Sequence, residues 1–178
     1  MIDIVIRQET AADQAVVYAL VKEAFRGEEQ SDHLEQELVD NLRRSESFIP
    51  ELSLVAELDG VIVGHILVTR IKIRNDEASF DSLALAPVSV LPEYQRQDIG
   101  GKLIRAAHKI ARELGHESVV LVGHKDYYPR FGYRLCELFD IKIPFDAPPE
   151  YCMAIELTPN ALKHVSGTVV YDPAFGIE

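Results

Sequence analysis

Hydrophobic positions recur along this chain with two different periods, and the changes from one to the other divide it into elements. Residues 4–7 are short and strand-like. Thr10 stands where a helix cap belongs, with Asp13 in the first turn, where the helix dipole favours an acid. Val16/Val17, Leu20/Val21 and Ala24/Phe25 then return every four residues, which predicts an amphipathic helix. A second helix is expected to open near Asp32, which with Glu35 fits a capping pattern, and to bury Leu34, Leu38, Val39 and Leu42. The period then shortens. Residues 52–58 and 61–73 read as strands flanking Asp59-Gly60, a dipeptide that favours a tight hairpin. Asn75-Asp76 marks another turn. Residues 80–90 form a third long strand interrupted by Pro87, which cannot donate to a ladder and so predicts a bulge or a local loss of pairing.

Helical spacing returns with Ile99, Leu103, Ala107, Ile110 and Leu114, and Gly115 is a good stop. Residues 118–122 are continuously apolar, as in a strand buried on both faces. Residues 127–131 predict a short helix with Pro129 in its first turn and Gly132 at its end. Residues 141–143 and 151–157 are late strands. Antiparallel hairpins thus lead into one β-α-β unit. The expected class is α+β, a mixed, largely antiparallel central sheet with helices on both faces. At 178 residues the chain reads as one domain, with a core over about 3–145 and a C-terminal strand and tail over 146–178.

Charge narrows the partners. The formal net charge of -11 argues against nucleic acid and an acidic membrane surface, and is compatible with a cationic amine. Residues 1–4 carry no basic segment leading into an apolar one, and no apolar run approaches bilayer length, so a cytoplasmic protein is expected. Cys136 and Cys152 are too few for a disulfide framework and read as buried free thiols. His116, His124 and His164 make no metal spacing, and no metal is expected.

The chemistry concentrates in residues 88–103, a strand, a polar loop with glycines and the start of a helix. Such a junction presents unpaired backbone N–H groups at the positive end of a helix dipole, where phosphates bind. Gly100 and Gly101 admit a ligand close to the backbone, and Arg96 and Lys102 add positive charge. A solvated loop at a glycine-tolerant helix start is the competing reading. The segment is neither a Walker A loop nor a dinucleotide fingerprint.

Gln95-Arg96-Gln97-Asp98-Ile99-Gly100 resembles the acetyl-CoA motif [Q/R]-x-x-G-x-[G/A] of the GNAT N-acetyltransferases. Tyr127-Tyr128-Pro129-Arg130-Phe131-Gly132-Tyr133 is similar to their C-terminal YxxxGF segment. Residues 123–133, with Glu156-Leu157 and Val170-Tyr171 downstream, resemble the YhbS-like subgroup. The resemblance covers essentially the whole chain and implies the acyl-CoA N-acyltransferase fold. It implies acetyl transfer from acetyl-CoA to a primary amine of a small molecule or peptide, by direct attack in a ternary complex. The alternative is a non-catalytic acyl-CoA-binding module, a sensor or scaffold.

On this resemblance, acetyl-CoA would lie between two splayed strands. Val88, Ser89 and Val90 would pair with it, with the Val90 N–H as oxyanion donor, and Gln95, Arg96, Gln97, Asp98, Ile99, Gly100, Gly101 and Lys102 would hold the pyrophosphate. Tyr128, four residues before Gly132, matches the general acid, with Tyr127 its rival. The strand carries no carboxylate after Asp81, which leaves His65 as a candidate base, directly or through water, while Ser89 could only order a water. The acceptor would bind where the first two helices connect, near Phe25 and Glu29, with Glu28, Asp32 and His33 adding to an acidic rim, although a solvated loop also fits. The family implies a monomer or homodimer. Asp98 departs from the motif glycine and would set a carboxylate beside the pyrophosphate.

Overall fold

Asp59 and Gly60 both take left-handed backbone, φ +51° and +80°, and turn strand β2 (Ser53–Leu58) back onto β3 (Val61–Arg74). The sheet grows from this hairpin. In the computed structural model, which describes residues 3–177, β1 (Ile4–Gln8) flanks β2 and β4 (Ser79–Val90) flanks β3, all antiparallel. The β4–β5 (Ser118–Val122) pair is parallel because α3 (Ile99–Glu113) makes the crossover between them. The sheet continues through β8 (Cys152–Glu156) to β6 (Arg134–Leu135), while β7 (Ile141–Lys142) and β9 (Gly167–Val170) close onto the far end of β3.

The two faces carry different helices. The apolar side of α3, with Ile99, Leu103, Ile104, Ala107 and Ala111, packs on one face against Val63, Ile66 and Leu121. On the other face Val17, Leu20 and Val21 of α1 (Gln14–Ala24) join Val39 and Leu42 of α2 (Glu35–Arg43) over Val55 and Leu67. A mixed sheet with helices on both faces is the architecture expected from the sequence. Cys136 and Cys152 are buried free thiols.

Four local details differ from expectation. The second helix begins at Glu35, three residues after Asp32, because the Asp32 carboxylate accepts the Leu34 N–H (2.9 Å) in a turn of its own. Leu34 is therefore 56% exposed and leaves the expected stripe. β6 was not anticipated, being only two residues long. Nor was β9, a four-residue strand given its place by pairing with β3 at Lys72–Arg74.

Candidate functional site

Pro87 shapes the site by breaking the ladder. β3 and β4 pair regularly until Ala86 and Pro87 together oppose the single residue Leu67, which makes a bulge. Beyond it Val88, Ser89 and Val90 resume pairing with Ile66, His65 and Gly64. On its other edge β4 pairs with β5 only at Leu83–Val119 and Ala84–Val120. The bulge redirects β4 after that point, while β5 stays paired with β8, and the two parallel strands part.

The parting leaves backbone groups free. The Leu91 N–H donates to the Val63 carbonyl (2.9 Å). Antiparallel alternation then makes His65–Ser89 a bonded pair and turns the N–H and C=O of Val88 and Val90 to the opposite edge, into the gap. The Gln95 side-chain amide donates to one of these, the Val90 carbonyl, at 3.1 Å.

A cleft of about 770 Å³ fills this gap on the α3 face. Val88 and Val90 form one wall, the 94–100 loop its end, and Tyr127 and Arg130 the far side. The loop turns sharply, with Arg96 and Asp98 both left-handed (φ +66° and +60°), and such turns gather backbone N–H groups into anion-binding concavities. Asp98 is the N-cap of α3, so the cleft opens on a helix N-terminus. The left-handed backbone at 98 is also the physical reason a glycine suits that position.

Three arginines border the cleft in a chain of net charge -11, so its local charge opposes that of the whole. Arg105 pairs with Asp98 (2.8 Å) and stacks over Phe131. Arg130 lies over the Tyr127 ring and donates to the Tyr127 carbonyl (2.9 Å). Arg105 and Arg130 were not anticipated. Arg105 sits two helical turns after Asp98, a spacing that puts both on one face. Of the expected loop residues, Gln95, Arg96, Asp98, Ile99 and Gly100 line the cleft, and Gln97, Gly101 and Lys102 do not. Gly101 has another use: a Cβ there would collide with the Asp98 carboxylate, which lies over it. Ser89 faces the opposite side of the sheet from Val88 and Val90, with its hydroxyl buried and unpartnered.

The two tyrosines separate. The Tyr127 hydroxyl approaches Gly100, at the helix end of the cleft. Tyr128 packs over Gly123, just past the end of β5, so tightly that a Cβ on Gly123 would stand 2.5 Å from its ring. It makes T-shaped contacts with Tyr127 and Tyr133, at centroid distances of 5.1 and 5.8 Å. Desolvation and the neighbouring Tyr127 push the Tyr128 phenol well above its ordinary pKa, so it stays protonated.

His65 is not brought to the cleft. It points to the α1/α2 face, wholly buried. The Ser53 hydroxyl donates to Glu9 Oε2 (2.6 Å) and therefore accepts from His65 Nε2 (3.1 Å), while Arg43 holds Glu9 through a buried ion pair. Desolvation, with Arg43 adding to it, lowers the His65 pKa to about 3, which makes the ring a poor proton acceptor near neutrality. The expectation of a basic His65 is thereby corrected. Among the described residues, Asp98 is the only carboxylate lining the cleft.

The expected acceptor residues also disperse. Phe25 packs in the α1/α2 core and Glu29 is exposed; neither lines the cavity nearby. That cavity, about 530 Å³, lies between α2 and residues 174–176 and is bordered by Asp32, Glu35 and Glu37. Among the described residues no group of three or more metal-ligating side chains comes together, and no helix is long and apolar enough to cross a membrane.

Comparison with known proteins adds to this geometry. The family described as Acetyltransferase (GNAT) domain matches residues 5–136. The chain is 43% identical over 102 residues to the uncharacterized N-acetyltransferase YjhQ of Escherichia coli K12, a match spanning 57% of this chain and 56%, about half, of that protein. It is 26% identical to YhbS of the same organism over 171 residues, covering 96% of this chain and 97% of YhbS. The crystal structure of Escherichia coli YhbS in complex with CoA superposes with a TM-score of 0.89 at 25% identity, covering 99% of this chain and 94% of that one. A GNAT family acetyltransferase from Brucella melitensis in complex with acetyl-CoA gives 0.80 at 34% identity, covering 98% and 99%.

Proposed function

The chain belongs to the GNAT acetyltransferase family, and we propose that it transfers an acetyl group from acetyl-CoA to a primary amine in a ternary complex. One observation carries the reading: β4 and β5 part beside a bulge, which turns the Val88 and Val90 N–H groups and the Val88 carbonyl to an unpaired strand edge beside a cationic loop at a helix N-terminus. A pantetheine arm has the alternating amide groups that such a free strand edge can pair, and a pyrophosphate has the charge that the loop and its arginines attract. That YhbS and the Brucella protein are described with CoA and acetyl-CoA supports the same ligand here.

When bound, the thioester supplies an activated acyl group. Val90 presents its N–H to the thioester oxygen, where negative charge develops as the amine attacks. The C–N bond forms, the C–S bond breaks, and Tyr128 gives its proton to the departing sulfur. The amine loses one proton to solvent, and Tyr128 regains one from it. The protonated, desolvated phenol of Tyr128 and its place beside the end of β5 favour it over Tyr127, whose hydroxyl lies at the loop end. Arg96, Arg105 and Arg130 are the residues assigned to the phosphates. A single domain acting in the cytoplasm, as monomer or homodimer, is consistent with this reading.

Calorimetry with acetyl-CoA, followed by a thiol-release assay over a panel of amines, tests the proposal. Micromolar binding with amine-dependent thiol release is expected. Binding without release from any amine would instead favour an acyl-CoA sensor, and absence of binding would remove both readings.

A further inference from the structure

β6 and β8 bring the two cysteines of the chain opposite one another. The strands pair antiparallel, with Arg134 facing Ala154 and Leu135 facing Met153. One step further along the same register, Cys136 stands opposite Cys152, where β6 gives way to a 3-10 turn (Cys136–Phe139). The faces agree with this register. Leu135 and Met153 belong to the α3-side core, and their neighbours Cys136 and Cys152 both turn to the opposite core, beside Val120, Ala154 and Ile141. Facing residues of an antiparallel pair have Cα atoms about 4.5–5.5 Å apart, inside the range of about 4.4–6.8 Å that a disulfide spans.

The two thiols also share their surroundings. Burial pushes the Cys136 thiol up to about 12, and the neighbouring Cys152 adds to the rise. Both cysteines act in turn on the Tyr171 phenol, which desolvation holds well above its ordinary value. Among the described residues no third metal-ligating side chain joins the pair, so it lacks the ligand set of a structural metal centre.

We propose that Cys136 and Cys152 form a reversible intrachain disulfide by exchange with a small organic disulfide. Cys152 is the less buried, 8% exposed against 2% for Cys136, and reacts first. Its thiolate attacks one sulfur of the small disulfide and releases one thiol. The Cys136 thiolate then attacks the Cys152 sulfur of the mixed disulfide and releases the second. The two cysteines lose two electrons to the small disulfide, and their two protons end on the released thiols. Both thiols are protonated and enclosed in the folded chain, so exchange proceeds through opening of β6, a two-residue strand at the edge of the sheet. The site is therefore slow to oxidise and acts as a stabilising crosslink, not as a fast sensor. Its position bears on the cleft. The segment between β5 and β6 carries Tyr128, and β8 with the residue before it holds both ends. The Gly123 N–H donates to the Tyr151 carbonyl (2.9 Å), beside Cys152, and Arg134 and Leu135 pair with Ala154 and Met153. The disulfide fastens the second end covalently and closes a loop of roughly 15 residues, which restricts the unfolded chain.

Incubation of the reduced protein with excess oxidised glutathione at about pH 8.5, where an opened thiol ionises, tests this directly. Intact mass after alkylation in denaturant reads the outcome. A chain lighter by two hydrogens and carrying no alkylated thiol is expected, with one peptide pair joined through Cys136 and Cys152. Its melting temperature should exceed that of the reduced protein by about 5 °C or more, and dithiothreitol should reverse both changes. Cys136→Ala should stop at a glutathione adduct on Cys152, with no rise in melting temperature. Refolding the denatured wild-type chain in the same glutathione buffer reaches the same end point without the barrier of burial. Two alkylated thiols after that refolding, a glutathione adduct that persists on the wild type, a bond between two chains, or a disulfide without a rise in melting temperature would each overturn the inference. None of these readouts depends on acetyl-CoA, so the outcome is independent of the acetyltransferase reading.

Discussion

Asp98 and Tyr128 concentrate the chemistry at the scale of single residues. Asp98 keeps the left-handed backbone that a glycine would take there, and its carboxylate lies over Gly101 in contact with Arg105. A bound pyrophosphate meets that charge at the helix N-terminus, and Arg105 has to serve both. Asp98→Gly should therefore tighten acetyl-CoA binding about fivefold, the equivalent of about 1 kcal/mol for one partly screened like-charge contact, as read by calorimetry. Tyr128→Phe should lower kcat by about a hundredfold or more, the usual scale of a lost general acid, with acetyl-CoA affinity unchanged. If Tyr127→Phe produced that loss and Tyr128→Phe did not, the two roles would be exchanged.

Among the elements, the end of β5 and the first turn of α3 set the geometry. Gly123 leaves room for the Tyr128 ring to pack closely against the strand end, so Gly123→Ala should displace the ring and lower kcat while sparing the KM for acetyl-CoA. The side-chain exposures of Arg43 and Glu9 are only 6% and 3%, and their ion pair ties α2 to the segment following β1. Glu9→Gln removes one of the two carboxylates, Glu9 and Asp40, that pair with the buried Arg43 guanidinium, and should destabilise the fold by about 3 kcal/mol, measured by urea unfolding.

For the whole molecule, acid is the predicted weak point. His65 and His108 are buried and neutral, with pKa values lowered by desolvation to about 3 and about 4. The unfolded chain binds protons on both below its ordinary value near 6.5, while the folded chain does not. Their contribution is therefore complete above about pH 6.5 and is lost as pH falls toward 4 and then 3. Asp13, held far below the usual carboxylate range by Arg7, acts in the same direction at the acid end of that window. Unfolding midpoints should fall steeply between pH 6.5 and 4, and His65→Gln should flatten the slope.

Periodicity and turn chemistry are local properties, and the sequence alone determined what depends on them. The spacing of Ile99 to Leu114 encodes α3, Asp59-Gly60 encodes the β2–β3 hairpin, and Pro87 encodes the bulge, because each acts through the backbone within a few residues. The 95–100 loop was legible for the same reason, since its residues are consecutive. What only the tertiary structure decided involves groups distant along the chain. Arg130 joins Arg96 across the cleft, Phe175 meets Leu38, and β9 finds β3. His65 matched a base by residue type alone, and its burial with Ser53, Glu9 and Arg43 removed that role. Burial and long-range pairing depend on the whole packed chain, and no window of neighbouring residues contains them.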